Sequence, residues 1–244
     1  MNKLNSTLAA ALLVTASVSA QTIITIDRDY NGGANIAEYT AWDTSDPFNG
    51  LADSGNSQFA NGTTAGVIGN GTQLRRPAFF FQLPTGYTSA QINDATLSFR
   101  LNANTTPTTD LLIYSAALDT LGTKDGAYAI STFSSAAFTT TGLSLATNAA
   151  TATNYTFDIT SLVKSGLDLS LTNTVIAFRF QMDDDTSLAY GTANSYSLLG
   201  FNATDAANRP ILTMDVVPEP STYALLAMSG LALGGYMIGR RRRA

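Results

Sequence analysis

The chain has 244 residues, 13 of them basic and 18 acidic, and it contains neither cysteine nor histidine. The missing cysteine excludes disulfides, thiol catalysis and cysteine-bound zinc, and the missing histidine excludes a Ser-His-Asp triad and the commonest ligand of transition metals. Residues 21–217 contain eight basic and 17 acidic residues, a net charge of −9 that disfavours nucleic-acid binding.

Residues 1–20 have the pattern of a secretion signal. Lys3 supplies a basic start, Leu8–Val14 form a short apolar run, and the small residues Val18 and Ala20 occupy the two positions that a signal peptidase reads. The apolar run is too short to span a bilayer. We therefore expect cleavage by signal peptidase between Ala20 and Gln21, and export across the inner membrane.

Residues 21–217 are predicted to form one all-β domain. Alternation of apolar and polar residues indicates half-buried strands, and it occurs around Phe79–Leu83, Ala95–Leu101, Tyr155–Ile159 and Ile176–Met182. Four further strands are expected at Thr22–Asp27, Leu111–Ser115, Tyr196–Phe201 and Ile211–Val216. At least eight short strands favour a two-sheet sandwich, most simply a jelly roll. One short helical turn is expected at Thr160–Ser165, closed by Gly166.

Four stretches of the domain resemble one family. They read RPAFFFQLP at 76–84, DATLSF at 94–99, FDITSLV at 157–163 and ANRPIL at 207–212. In this order they resemble the DNRLRE-type β-sandwich domains, which are related to carbohydrate-binding modules of secreted bacterial proteins. The resemblance spans roughly residues 22–216 and implies a non-catalytic sandwich with a polysaccharide ligand.

Trp42 is the single tryptophan of the chain. Because an aromatic face can support a sugar ring, Trp42 with Tyr39 or Tyr30 is a candidate sugar platform. The alternative for a lone tryptophan is packing in the core.

Asp183, Asp184 and Asp185 form the densest acidic run of the domain. Carboxylates at the end of a strand suit Ca²⁺, which binds six to eight oxygen atoms. The alternative is a solvated turn after the strand at Ile176–Met182. Apart from calcium, no cofactor is expected, and no residue is predicted to be catalytic.

The last 27 residues consist of three parts. Pro218, Glu219 and Pro220 disfavour helix, residues 223–239 carry no charge, and Arg240, Arg241, Arg242 and Arg243 follow. Seventeen residues of helix measure about 25 Å, the short limit for crossing a bilayer. The arginines should remain cytoplasmic, which places the domain outside. The sequence thus predicts a sorting motif at 218–220, a transmembrane helix at 223–239 and a basic topology anchor at 240–243.

In order and position these three parts resemble the PEP-CTERM sorting signal of Gram-negative bacteria. The resemblance implies processing by exosortase, a membrane transpeptidase, in a species that makes exopolysaccharide. The alternative is a plain membrane anchor that is never cut.

The sequence therefore predicts a protein that is transiently anchored in the inner membrane and then sorted to the cell surface or extracellular matrix. Its sandwich is expected to bind polysaccharide without catalysis. Two alternatives remain: a structural envelope or biofilm protein without a ligand, and a polysaccharide-degrading enzyme.

Overall fold

A computed structural model describes residues 21–29, 33–56, 62–68, 71–123 and 126–217. Two α-helices, α1 (Gly126–Phe133) and α2 (Thr160–Asp168), accompany the strands, and short 3₁₀ turns occur at Ser89–Gln91, Asp185–Ser187 and Ala206–Asn208. The strands are β1 (Thr22–Ile26), β2 (Ile36–Asp43), β3 (Ser54–Asn56), β4 (Gly62–Ile68), β5 (Gln73–Gln82), β6 (Ile92–Thr105), β7 (Leu111–Leu118), β8 (Thr139–Leu145), β9 (Thr153–Asp158), β10 (Val175–Met182), β11 (Asn194–Leu199) and β12 (Ile211–Val216).

These strands form one antiparallel sheet, in the order β1-β12-β6-β11-β4-β5-β10-β7-β8, with β9 added to β6 and the β2–β3 pair added to β5. The all-β prediction is confirmed. Where the sequence predicts two sheets, the strands are connected in one curled sheet, because two long strands change partners along one edge. The first part of β6 pairs with β12 and its last part with β11, while β9 occupies the other edge.

Strand β5 changes partners in the same way, from β4 at residues 73–75 to β10 at residues 78–82. Pro77 lies in the interval between the two partners. A proline has no N–H to donate to a ladder and is rare inside a sheet. The change of partner accounts for a proline in the middle of a sequence that otherwise pairs as a central strand.

The main core lies inside the curled sheet. Phe79 and Phe81 of β5, Phe99 of β6, and Phe178 and Phe180 of β10 are all buried there. Their rings make edge contacts at centroid distances of 4.9–6.2 Å. The alternating faces of these strands therefore supply the core that the sequence predicts.

A second core covers the other face of β2, β5, β7 and β10. Tyr39, Phe80 and Ala177 lie there beneath α1, which contributes Ala129 and Phe133. Strands β5 and β10 are consequently buried on both faces, whereas alternation predicts half-buried strands. Strand β6 keeps the predicted pattern, because Thr96, Ser98 and Arg100 stay partly exposed between buried neighbours.

Helix α2 is found where predicted, but it continues past Gly166 to Asp168. Gly166 is buried, and a Cβ at this position would lie 2.6 Å from the side chain of Ile176 on β10. The glycine therefore allows close packing of helix on sheet and does not end the helix.

Candidate functional site

A groove of about 440 Å³ opens at one end of the sheet. It lies between the β5–β6 connection, residues 83–89, and residues 167–174, which are the end of α2 and the connection to β10. Seven of its thirteen lining residues carry a hydroxyl group, and Asp168 is the one charged side chain among them. Its composition suits a neutral, hydroxyl-rich ligand better than an anion.

Two hydrogen bonds join the connections that form the groove. The backbone N–H of Leu83 donates to the carbonyl of Thr174 at 2.8 Å, at the base. The hydroxyl of Ser89 donates to the carboxylate of Asp168, at the rim. A capping box, in which the N–H and hydroxyl of Thr88 donate to the side chain of Gln91, holds the 3₁₀ turn that carries Ser89. The groove is therefore held open by its own backbone and side chains.

The groove combines polar and apolar contacts. Leu83, Leu167 and Leu171 supply aliphatic surface and Tyr87 an aromatic ring, among the hydroxyl groups. Sugars present both hydroxyl groups and C–H faces, and specific ligand sites place a few polar groups in a mainly apolar cleft. A glycosidase needs two carboxyl groups across the scissile bond, and the lining of this groove provides one.

The C-terminal strand ends beside the groove. Strand β12 pairs with β6 as far as Val216, opposite Ile92, and Val216 is fully buried. The next N–H, that of Val217, donates to the carbonyl of Gln91 at 2.8 Å. The predicted sorting motif therefore begins one residue beyond the last backbone bond of the sheet, with no intervening linker.

The pairing of Trp42 with Tyr39 as a sugar platform is corrected, and the pairing of Trp42 with Tyr30 stays a prediction. Trp42 is half-buried, and the guanidinium of Arg75 lies over its ring with Cζ 5.2 Å from the centroid. Tyr39 lies on the opposite face of β2, fully buried, where its hydroxyl donates to the carbonyl of Leu121. Because residues three apart on a strand point to opposite faces, these two rings cannot form one platform. Tyr30 lies outside the described residues.

The acidic run is also corrected. Asp183 and Asp184 are exposed, but Asp185 is only 2% exposed, and its two carboxylate oxygens accept from Nε and Nη2 of Arg76 at 2.8 and 2.7 Å. Within the described residues, no three acidic side chains lie close enough together to hold a metal ion. The run is neither a shared calcium site nor a wholly solvated turn, because Asp185 is an internal counter-ion.

A second buried arginine lies near this ion pair. Nη1 of Arg179 donates to the carbonyls of Thr132 and Phe133 at 3.0 Å, at the C-terminal end of α1, where Nη1 of Arg76 also donates to Phe133 at 2.9 Å. Burial, and next the charge of Arg76, lower the pKa of Arg179 to about 10. Two cations at the negative end of a helix dipole hold α1 on the sheet. These residues fix the fold and are not among the residues that line the groove at 83–89 and 167–174.

Sequence analysis did not identify the groove. Its residues lie in two connections about 80 positions apart in the sequence, and Ser, Thr and Gly are ordinary in loops. The one local signal is Pro84–Gly86, a turn that Gly86 completes with φ of +89°. Only the pairing of β5 with β10 brings the two connections together.

The remaining predicted positions lie outside the described residues: the signal and Ala20, the motif Pro218–Pro220, the apolar segment 223–239 and Arg240–Arg243. Gln21 is described, and its side chain donates to Asp215. No helix within the described ranges has the length and apolar character needed to cross a membrane.

Residues 216–243 match the model of the PEP-CTERM protein-sorting motif. The match begins at Val216, inside β12. Against the curated proteins, the chain gives no match.

Proposed function

We propose that this chain is a cell-surface or extracellular-matrix protein whose β-rich domain associates with polysaccharide through the groove. The matched sorting motif supports export, transient anchoring through the C-terminal region and processing by exosortase. The observation that carries the polysaccharide part is the hydroxyl-lined groove with its three leucines, one tyrosine and one carboxylate. The proposal is that the domain binds polysaccharide without cleaving it.

Sorting is tested by changing Pro218, Glu219 and Pro220 together to alanine. We expect an uncut precursor retained in the membrane, because the change removes the Pro-Glu-Pro part of the matched sorting motif. Ser221→Ala is the matched control and should leave processing intact. Mass spectrometry of the wild-type protein decides the matter, and a C-terminus that still reaches Ala244 in cells would contradict processing.

Polysaccharide binding is tested on a glycan array with the same substitution, Thr→Arg, made once in the groove and once far from it. Thr172 is an exposed groove residue and Thr105 an exposed residue at the far end of β6. An arginine at position 172 fills the groove, so Thr172→Arg should abolish glycan binding and Thr105→Arg should preserve it.

Neutral glycans should bind in preference to uronic-acid polymers, because Asp168 repels carboxylates. If the wild-type protein binds no glycan, the ligand-free structural role is the better description. If it releases products from a polysaccharide, the non-catalytic proposal fails.

A further inference from the structure

Strand β1 is an edge of the sheet. On one side it pairs with β12, from Thr22 opposite Val216 to Ile26 opposite Leu212, and no described strand pairs with its other side. An edge strand presents unpaired N–H and C=O groups on which another strand can form a ladder. This edge is therefore a surface to which the chain can add a strand from outside.

The backbone groups of Ile23 and Thr25 point toward the free side of β1. On β6, the N–H and the carbonyl of Ala95 are both bonded at the start of α2, on the side away from β12. Its partner Met214 must therefore direct its own groups to β1, where it pairs with Ile24. Because these directions alternate along an antiparallel strand, the neighbours of Ile24 face outward, and no described residue bonds their backbone.

The side chains of β1 favour pairing with a further strand. All five residues, Thr22–Ile26, are β-branched, and none is charged, proline or glycine. Such residues have high β propensity, and uncharged segments of this kind associate readily when an edge exposes them. Ile23 is 72% exposed, and Ile24 is only partly buried against the main core.

The other edge strands in the described part of the chain are less suited to such pairing. Strand β3 has only three residues, and β8 is irregular around Gly142, whose φ is +75°. Strand β9 carries Asn154 and Asp158, two residue types that are depleted in strands. Short strands, bulges and charges are the features that keep an edge from pairing, and β1 has none of them.

The flanking charges favour a second copy of the same strand in antiparallel orientation. The charged segment 27–29 (Asp-Arg-Asp) follows β1 at one end, and the uncharged Gln21 precedes it. A two-fold axis at Ile24 sets residue 27 of one copy opposite Gln21 of the other, so the two charged segments lie at opposite ends. Parallel pairing would set residue 27 of both copies side by side, and like charges directly opposite destabilise a sheet.

We propose that two copies of this chain pair antiparallel through their β1 edges, with the two-fold axis at Ile24. In this register Ile23 of each copy lies opposite Thr25 of the other, so every outward N–H and carbonyl of these two residues is bonded. The two Ile24 side chains face each other across the axis. Closed two-fold contacts are the commonest in soluble oligomers. The pairing does not involve the groove and is independent of polysaccharide binding.

Single-cysteine variants of the full chain test this register, because the chain contains no other cysteine. At the axis, the Cα atoms of residue 24 in the two copies lie about 4.5 Å apart, within the range that a disulfide bridges. Residue 22 lies opposite residue 26 of the other copy, which separates its two Cα atoms by about 13 Å or more. Under mild oxidation Ile24→Cys should give a disulfide-linked dimer on a non-reducing gel. Thr22→Cys, at a more exposed position, should remain monomeric.

Two blocking variants, each combined with Ile24→Cys, test the edge itself. Thr25→Pro removes an N–H that faces away from β12, so circular dichroism should stay native, while the second copy loses a hydrogen-bond donor. Ile23→Lys changes an exposed side chain and places two like charges about 7–8 Å apart across the axis. Thr25→Pro should abolish the cross-linked dimer, and Ile23→Lys should reduce it.

Three outcomes would overturn the paired edge. These are equal cross-linking at positions 22 and 24, no cross-linking at position 24, and cross-linking at position 24 that is unchanged by both blocking variants. Cross-linking of Ile24→Cys to a protein other than this chain, identified by mass spectrometry, would overturn the second copy as the occupant of the edge.

Discussion

Replacing Asp185 by asparagine should remove a large part of the stability of the domain. Its carboxylate accepts two hydrogen bonds from Arg76, at 2.8 and 2.7 Å, and the side chains of the pair are 3% and 8% exposed. Asparagine leaves Arg76 and Arg179 as two buried cations without the carboxylate that accepts from Arg76. Breaking a buried pair by removing one partner costs about 3–5 kcal/mol.

Urea denaturation measures this loss. With a slope of about 2 kcal/mol per molar urea, the midpoint should fall by about 2 M. Asp183→Asn and Asp184→Asn are matched controls on exposed neighbours and should each cost less than about 0.5 kcal/mol. Asparagine also tolerates the left-handed conformation of residue 184, whose φ is 49°.

The control variants also test the alternative explanations of the acidic run. Equal losses from the three variants would contradict the internal ion pair. A wild-type midpoint that rises with millimolar Ca²⁺ and falls with chelator would mean that the three carboxylates act together after all.

Three further outcomes are expected from the packing. Phe99→Ala should cost about 3–5 kcal/mol of unfolding free energy in denaturant melts, since Phe99 is 1% exposed between Phe157 and Phe180. Arg100→Ala, on the other face of β6, should cost about 1 kcal/mol or less. Similar losses from the two variants would refute the one-sided burial of β6. Gly66→Ala should prevent stable folding, as judged by circular dichroism. The φ of Gly66 is +108°, and a Cβ at this position would lie 2.4 Å from a backbone oxygen of β11. A native spectrum of the variant would refute this close approach. Burial, and next the charge of Asp110, raise the pKa of Tyr196 to about 12. The stability that Tyr196 contributes is therefore complete below pH 10 and is lost as the pH rises toward 12. A tyrosinate absorbance titration in which every tyrosine ionises near pH 10 would contradict the raised pKa.

Strand positions were predictable where one face of the sheet is buried. Ala95–Leu101 alternates in sequence, and its apolar residues are buried while the polar ones stay partly exposed. The period of two in a strand makes such alternation a local property that needs no knowledge of neighbouring elements. The helix at Thr160 was predictable in position but not in its cap, since Ile159 and not Thr160 occupies the N-cap position and no side chain caps the helix.

Strand β2 and helix α1 could not be found in this way. Ala37, Tyr39 and Ala41 lie in the second core and Ile36 in the main core, so β2 has apolar residues on both faces and no clean alternation. Helix α1 is held by Arg76 and Arg179, which belong to distant strands. The alternation of β10 was misleading, because Arg179 looks solvent-facing until α1 covers it.

The sequence alone carries the sorting motif that residues 216–243 match, and it predicts a signal peptide and a membrane-spanning segment. The signal pattern, the Pro-Glu-Pro motif, the uncharged segment and the arginine run depend on composition and order along the chain, which processing enzymes and membranes read locally. Only the tertiary structure decided which residues lie beside the sorting motif. Pairing of β1 with β12, and of β5 with β10, brings Gln21, Val217 and both groove connections to one end of the sheet, because hydrogen-bond register between distant strands is not encoded in either strand by itself.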